Sequence, residues 1–370
     1  MHTRGSISSF SLDATRAQTR RVAVVGATGY AGSELCALLL AHPRVEIAAI
    51  YGSARRGDEP AQRLADLFPR LEGRTELCVR PLDVAELLQS DVDTVFLATP
   101  HETSHELVPQ LIASGKLVVD LSAAFRLSNT AVFERAYGFK HEHAELLRTA
   151  VYALPELAAD AIPLTNLLAI PGCYPTSVIL PTRPLVDAGL IDLDRGAIVD
   201  STSGVSGAGR KAEIKALFCE VSMQAYGVWK HRHRPEMTEH ARIATVFTPH
   251  LGCFDRGILS TIHLFLNEGV TEADVRACLT NTYADAAFVR VLRAGQWPSI
   301  ASVERTNYCD IGISAEGRHL IIESALDNLL KGAAGQALQA FNIHCGFAQI
   351  TGLLAPSTTK EVACIAHSPS

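Results

Sequence analysis

A glycine-rich turn between a strand and a helix near the N-terminus constrains the fold most. In RVAVVGATGYAGSELCALLLAHP (residues 21–43), the apolar run predicts a buried strand, and leucines at helical spacing predict the helix that follows. Gly26, Gly29 and Gly32 lie between them, where glycines permit a tight turn and bring backbone N–H groups close to a pyrophosphate. The spacing Gly-x-x-Gly-x-x-Gly varies the usual dinucleotide motif. It favours dinucleotide binding, with a purely structural loop as the alternative.

The order of apolar segments along the chain predicts an α/β protein with two domains. Continuous strand-like runs such as VDTVFLATP and KLVVDLS, each after a helical stretch, indicate a Rossmann-type parallel sheet. From about Gly196 the strands become longer and helices fewer, which predicts a second α+β domain with a mixed or antiparallel sheet. The alanine-rich KGAAGQALQAFNIHCG is expected to form a helix on the first domain. We predict disordered tails at 1–20 and 351–370, a dinucleotide-binding domain at 21–170 plus 327–350, and a catalytic, substrate and oligomerisation domain at 171–326.

Composition excludes several classes of protein. The chain is 48% hydrophobic and 19% charged, which suits a large core rather than a disordered chain. A net charge of −6 provides no general attraction to nucleic acid or to an anionic membrane, and no apolar run approaches the roughly 18 residues of a membrane span. Nine cysteines without a C-x-x-C motif indicate neither a disulfide framework nor a zinc knuckle. A reducing cytoplasm is therefore the expected location.

The end of the second strand indicates which dinucleotide is bound. An acidic residue there would hold the ribose 2′-hydroxyl of NAD, but the chain reads Ser53, Ala54, Arg55, Arg56, with no acid before Asp58. A hydroxyl and two guanidinium groups suit a 2′-phosphate, so the sequence favours NADP. A solvated basic loop is the alternative.

Cys173, in AIPGCYPTS, is the candidate nucleophile. It follows a strand-like run, and Pro175 suits the first turn of a helix that begins there. A cysteine at a helix N-terminus is expected to have a lowered pKa, and the same N–H groups can stabilise an oxyanion. Pro181 and Pro184 are expected to end this helix after two turns. The alternative is an inert, buried cysteine.

His231 and His233, in KHRHRPE, are the candidate acid and base. In an extended chain both lie on one face, with Arg232 and Arg234 on the other. Histidine titrates near neutrality, so proton transfer is favoured over a zinc site, for which no further ligand cluster appears. The sequence leaves open which histidine moves the proton.

Two arginines are candidates for binding substrate anions. Arg126 in DLSAAFRL follows a strand end, where α/β sheets present ligand contacts, and Arg210 closes the loop SGVSGAGR. Either one can instead be an ordinary surface arginine. Together they predict a site for a carboxylate or a phosphate.

At this point a resemblance covers most of the chain, from about Val22 to Cys345. GATGYAGSEL, DLSAAFRL, LPEL, PGCYPT, SGVSGAGR, HRHRPE, RGIL and DNLLKGAAGQALQAFN resemble the N-acetyl-γ-glutamyl-phosphate reductase family of the aspartate-semialdehyde-dehydrogenase-like superfamily. The family has small residues just before the first histidine, where this chain has Trp229 and Lys230. The resemblance implies a nucleophilic Cys173, acid/base chemistry at His231 and His233, and NADP(H) on the glycine-rich loop. We expect Arg126 and Arg210 to bind substrate, and we expect no metal. The predicted NADP(H) contacts are Gly26, Thr28, Gly29, Tyr30, Gly32, Ser53, Arg55, Arg56, Pro100, Ser206, Gly207 and Asn328.

The resemblance implies the third step of arginine biosynthesis, in a cytoplasmic homodimer or homotetramer. A Cys173 thiolate would attack the acyl phosphate and release phosphate, and the resulting thioester would be reduced to the aldehyde. The same residues suit a related acyl phosphate, such as β-aspartyl phosphate or a carrier-bound aminoadipyl phosphate. A non-catalytic NADP-binding regulatory protein is the alternative from another class.

Overall fold

The computed structural model describes residues 19–52 and 61–354. The proposed 2′-phosphate contacts Ser53, Arg55 and Arg56 lie outside the described residues, as does nearly all of both predicted tails. Arg20, which was assigned to the N-terminal tail, already belongs to the first strand.

The first half of the chain forms a largely parallel sheet. Its strands are β1 (Arg20–Val25), β2 (Val45–Tyr51), β3 (Gln62–Arg63), β4 (Cys78–Arg80), β5 (Thr94–Leu97), β6 (Leu117–Asp120), β7 (Val151–Tyr152) and β8 (Leu167–Ala169). Its helices are α1 (Tyr30–Ala41), α2 (Leu64–Leu67), α3 (Val84–Gln89), α4 (His101–Ala113), α5 (Thr130–Tyr137), α6 (Ala144–Thr149) and α7 (Pro155–Ala158). Within the described ranges the strand order is β3-β4-β2-β1-β5-β6-β8-β7, parallel except for the β3–β4 pair. The buried strands β1, β5 and β6 make this a Rossmann-type core.

The second half builds a mixed sheet. Its strands are β9 (Ala197–Ser203), β10 (Gln224–Ala225), β11 (Thr245–Leu251), β12 (Ile258–Phe265), β13 (Val289–Val291), β14 (Cys309–Glu316) and β15 (His319–Leu326). Its helices are α8 (Cys173–Asp187), α9 (His233–Ala241), α10 (Glu272–Thr282) and α11 (Ile300–Val303), and α12 (Gly335–His344) ends the fold. Across the part of the chain that is described, the order is β10-β11-β9-β12-β15-β14-β13, antiparallel except for β9–β11 and β13–β14. The predicted fold class is confirmed.

Helices cover one face of the mixed sheet. Residues of β12 alternate between buried and half-buried, and their buried side packs with α8, α9 and α10 in one core. The final helix returns to the first sheet, because Leu338 and Phe341 share a core with Leu35 and Phe96. In the described residues, no helix is long and apolar enough to cross a membrane.

Helix α8 connects the first sheet to the second and is longer than the sequence indicates. It runs for 15 residues through both Pro181 and Pro184, so the expectation that these prolines end it after two turns is wrong. Pro184 has no N–H to donate to the carbonyl of Leu180, four residues earlier. The hydroxyl of Tyr283, the residue that follows α10, donates to that carbonyl instead and satisfies the acceptor that the proline leaves unused.

Candidate active site

The candidate site is a cleft of about 290 Å³ at the carboxyl edge of the first sheet. Parallel sheets place ligands at this edge, and residues just after β5, β6 and β8 line the cleft. The segment after β15 closes its other side. The cleft brings together ten of the residues that the sequence singles out: Gly29, Tyr30, Gly32, Arg126, Cys173, Ser206, Gly207, Arg210, His233 and Asn328.

The glycine-rich turn has the geometry that its sequence predicts. Gly26 has φ of +88°, and a Cβ there would lie 2.3 Å from the carbonyl oxygen of Ala98. A Cβ on Gly32 would lie 2.2 Å from the carbonyl oxygen of Gly26, so helix α1 can approach the turn only at glycine. These contacts leave the N-terminus of α1 at the cleft, where its N–H groups suit a pyrophosphate.

A second cavity, of about 790 Å³, continues from the first. Gly26, Thr28, Gly52 and Pro100 line it, and Gly29 and Ala98 line both cavities. The two cavities therefore offer an extended path from the end of β2 to Cys173. Gly52 lines the far end of this path.

Cys173 is the first residue of α8 and is packed closely. A Cβ on Gly332 would lie 2.7 Å from the Cβ of Cys173, so only a glycine fits behind the nucleophile. Gly332 belongs to a single turn of π-helix, Leu330–Ala334, a feature common at functional sites.

The pKa of Cys173 differs from the sequence expectation. Burial raises the pKa to about 11, although the Tyr174 N–H and the charge of Arg126 both act to lower it. The prediction of a lowered pKa is therefore wrong, because desolvation of the thiolate outweighs the helix N-terminus. A base must accept the thiol proton during the attack.

The two histidines occupy different surroundings. Arg232 has helical dihedral angles (φ −64°, ψ −20°) and α9 begins at His233, so the predicted extended segment is wrong. His233 lines the cleft with Cys173, and its Nε2 lies 2.7 Å from the position of a Cβ on Gly172. Burial, His231 and two arginines hold the pKa of His233 well below its usual value, which keeps the imidazole neutral. His233 is therefore positioned to accept a proton.

His231 does not itself line the cleft but contacts His233, which does. Its ring contacts those of Tyr174, Tyr226 and Phe247, and its Nδ1 accepts a hydrogen bond of 3.2 Å from the backbone N–H of His233. Burial lowers the pKa of His231 to about 4, so it too is neutral. These contacts suit a residue that positions His233.

Trp229 stands where the resemblance leads one to expect a small residue. Its φ is +62°, a left-handed conformation that favours glycine, and its side chain is 60% exposed. The guanidinium of Arg234 lies 5.0 Å from its ring centre. Trp229 therefore adopts a backbone conformation that glycine favours, although its side chain is bulky.

Glu236 is the residue that the sequence analysis missed. It is fully buried, and its Oε1 accepts hydrogen bonds of 2.8 Å from the Gly172 N–H and from the Tyr152 hydroxyl. Its Oε2 lies 3.3 Å from Nη1 of Arg126. One carboxylate thus fixes the residue before the nucleophile and the candidate anion-binding arginine.

The two candidate arginines lie on different sides of the cleft. Arg126 is buried, donates to the carbonyl of Leu121 at 2.7 Å, and has an Nη1 that lies 2.9 Å from the position of a Cβ on Gly172. Arg210 is exposed, donates to the carbonyl of Thr28 at 3.1 Å and stacks on Phe68 at 4.6 Å. Arg126 therefore faces the nucleophile, and Arg210 faces the glycine-rich turn.

Asn328 organises the wall that follows β15. Its Nδ2 donates to the Ser206 hydroxyl at 3.0 Å, and its Oδ1 accepts from the Gly257 N–H at 2.6 Å. A Cβ on Gly207 would lie 2.8 Å from the hydroxyl of Ser203. Among the residues with described positions, no group of three or more histidine, cysteine or acidic side chains could hold a metal ion.

Comparisons with known proteins agree with this architecture. The profile of the semialdehyde dehydrogenase NAD binding domain matches residues 21–165, and that of the semialdehyde dehydrogenase dimerisation domain matches residues 173–328. Proteins named N-acetyl-gamma-glutamyl-phosphate reductase from Salmonella typhi and Escherichia coli (strain K12) are 48% and 46% identical over 331 residues. These alignments cover 90% of this chain and 98% of each relative.

Solved structures share the fold at lower identity. Aspartate semialdehyde dehydrogenase II from Vibrio cholerae superposes with a TM-score of 0.64 at 17% identity. The match covers 88% of this chain and 98% of that chain. Aspartate semialdehyde dehydrogenase from Candida albicans has a TM-score of 0.60 at 16% identity and the same coverage.

Proposed function

The chain belongs to the N-acetyl-γ-glutamyl-phosphate reductase family, and we propose that its cleft carries out that reaction through Cys173 and His233. The reaction reduces N-acetyl-γ-glutamyl phosphate with NADPH to N-acetylglutamate 5-semialdehyde and phosphate, a step of arginine biosynthesis. One observation carries the proposal: the nucleophile, a neutral base and a buried arginine meet the dinucleotide turn in a single cleft.

The glycine-rich turn fits NADP(H). Gly26 and Gly32 hold backbone where a Cβ would collide, so the N-terminus of α1 is open to a pyrophosphate. Thr28, Tyr30, Pro100 and the Ser206–Asn328 wall are the further candidate contacts. When bound, NADPH supplies the hydride that reduces the acyl group to the aldehyde level.

His233 transfers the proton in this reaction, and Cys173 holds the acyl group. Neutral His233 accepts the Cys173 proton as sulfur attacks the acyl carbon, and the C–O bond to phosphate breaks. The proton then passes from His233 to the departing phosphate. The Cys173 thioester is the acyl group that is reduced, and collapse of the tetrahedral species releases the aldehyde and the thiolate. The N–H groups at the start of α8 face the developing oxyanion.

The position of Arg126 suggests which anion it binds. Its Nη1 lies beside Gly172, next to the nucleophile, so an anion bound there adjoins the attacked carbon. The phosphate is joined to that carbon through one oxygen, whereas the α-carboxylate is several bonds away. We therefore assign the phosphate to Arg126 and leave Arg210 as the candidate for the carboxylate.

The reverse reaction tests this function. Purified protein should reduce NADP⁺ when given N-acetylglutamate 5-semialdehyde and phosphate, and should be much slower with aspartate semialdehyde. Higher activity with aspartate semialdehyde would identify a β-aspartyl phosphate reductase. Failure with both aldehydes, despite NADP⁺ binding, would support a regulatory protein or a carrier-bound substrate.

Assembly into a homodimer or homotetramer is part of the proposal. The dimerisation-domain match spans the mixed sheet, and Ile198 and Val246 are 42% and 38% exposed on adjacent strands of that sheet. Apolar exposure of this kind suits a subunit interface. Light scattering coupled to size-exclusion chromatography gives the oligomeric state. A reducing compartment such as the cytoplasm suits a thiol nucleophile.

A further inference from the structure

Tyr137 carries a polar group that the proposed reaction does not yet use. Its hydroxyl oxygen is buried, and no hydrogen-bond partner for it occurs among the described residues. The ring is held in place at the end of α5, stacked on Phe133 at 4.7 Å and edge-on to His101 at 4.9 Å between ring centres. Leaving a buried hydroxyl without a partner is costly, which indicates a group that binds there during function.

Arg232 lies beside the Tyr137 ring, and the charge of Arg126 also acts on Tyr137. The guanidinium of Arg232 lies 5.7 Å from the centre of the Tyr137 ring, and its Nη1 lies 3.3 Å from Nδ1 of His101. Burial raises the pKa of Tyr137, as does Glu236, whereas Arg126 and Arg232 act to lower it. The phenol is therefore a donor at neutral pH and lies in the field of both cations.

Arg126 likewise has a hydrogen-bonding atom without a partner among the described residues. Its side chain is 6% exposed, and its Nε is buried without a partner among the residues whose positions are described. Glu236 and the buried Asp120 both act on Arg126, and Arg232 brings a second positive charge to the same region. Two guanidinium groups offer donors only, and a neutral phenol can add one more donor, which is the chemistry of a site for a highly charged oxyanion.

We propose that Tyr137 and Arg232 complete the subsite for the phosphate leaving group, beside Arg126. This inference rests on the proposed function. Tyr137 would donate one hydrogen bond to a phosphate oxygen, and Arg232 would balance the charge that develops as the C–O bond breaks. The protein thereby selects acyl phosphates over uncharged acyl donors.

The reverse reaction separates this subsite from the rest of the cleft, because phosphate and aldehyde are independent substrates. Tyr137→Phe should raise the KM for phosphate about tenfold or more, as expected for loss of a hydrogen bond to a charged group. The KM for N-acetylglutamate 5-semialdehyde and the Kd for NADP⁺ should stay near the wild-type values. Arg232→Gln should act on phosphate in the same way and serves as a second, independent variant.

Tyr308→Phe is the matched control, because Tyr308 also lies beside an arginine, with Arg290 at 4.2 Å, but that arginine is paired with Asp310. It should leave all constants unchanged. An unchanged phosphate KM in folded Tyr137→Phe and Arg232→Gln proteins overturns the inference, as does a rise in the aldehyde KM instead. If wild-type protein shows no phosphate-dependent NADP⁺ reduction with this aldehyde, the proposed function fails, and that result is distinct from failure of the subsite alone.

Discussion

Replacement of Glu236 by glutamine tests the buried pair that holds the site together. Glutamine keeps the side-chain volume and can keep an oxygen that accepts from the Gly172 N–H and the Tyr152 hydroxyl. It removes the negative charge that faces Arg126 at 3.3 Å. The change therefore isolates the charge from the packing.

The expected loss follows from burial. The Glu236 and Arg126 side chains are 0% and 6% exposed, so solvent cannot stabilise the arginine left behind. Removing one partner of a buried ion pair typically costs about 3–5 kcal/mol of unfolding free energy. For a unit of 150–250 residues, this corresponds to a fall in Tm of roughly 6–20 °C.

Thermal unfolding by differential scanning calorimetry measures this effect. Glu239→Gln is the matched control on the same helix, since Glu239 is more exposed and accepts one hydrogen bond, from the Ser128 N–H. It should lower stability by less than about 1 kcal/mol. The double variant Arg126→Met/Glu236→Gln should regain most of the lost stability but not the activity, because both charges of the pair are removed together. A Tm for Glu236→Gln within 2 °C of the wild type would correspond to a loss of unfolding free energy on the order of 1 kcal/mol or less. That result would refute the argument.

The remaining predictions concern the chemistry. Cys173→Ser should abolish turnover but leave NADP⁺ binding and Tm near wild type; activity above a few per cent would point to another nucleophile. His233→Asn should lower kcat by roughly 10²–10⁴, and His231→Asn should have a smaller effect, with kcat and KM measured from pH 6 to 10. Since the pKa of His233 is depressed, it stays neutral as the pH falls through 6.5, and the wild-type kcat should show no loss there; equal effects of the two substitutions would contradict their assignment. Arg55→Ala/Arg56→Ala should weaken NADPH binding at least tenfold more than NADH binding, by titration of each.

The sequence by itself predicts the features that depend on neighbours along the chain. Gly26 and Gly32 belong to one strand-turn-helix unit, so their spacing alone indicates where a Cβ would obstruct the turn. The nucleophile is also predicted from neighbouring residues, because the seven residues 171–177 contain the Pro-Gly before Cys173 and the start of the helix after it. Strand length and order predict the parallel and mixed sheets for the same reason.

Glu236 lay within reach of sequence reasoning. It follows His233 by three residues, a spacing that places both on one face of a helix. The extended interpretation of KHRHRPE separates them, and so it assigns no function to the carboxylate. A helix start at His233 would have indicated that Glu236 accompanies the base.

Tertiary structure alone decides the properties that depend on burial and on distant segments. The pKa of Cys173 rises to about 11 because other elements exclude water from it, an effect that outweighs the local helix N-terminus. Both histidine rings contact Tyr174, but only His233 is among the residues that line the cleft. Tyr137 comes near Arg232, 95 positions later in the chain, through packing of the two domains. Spacing along a chain fixes local geometry, whereas desolvation and long-range contacts exist only once the whole chain has folded.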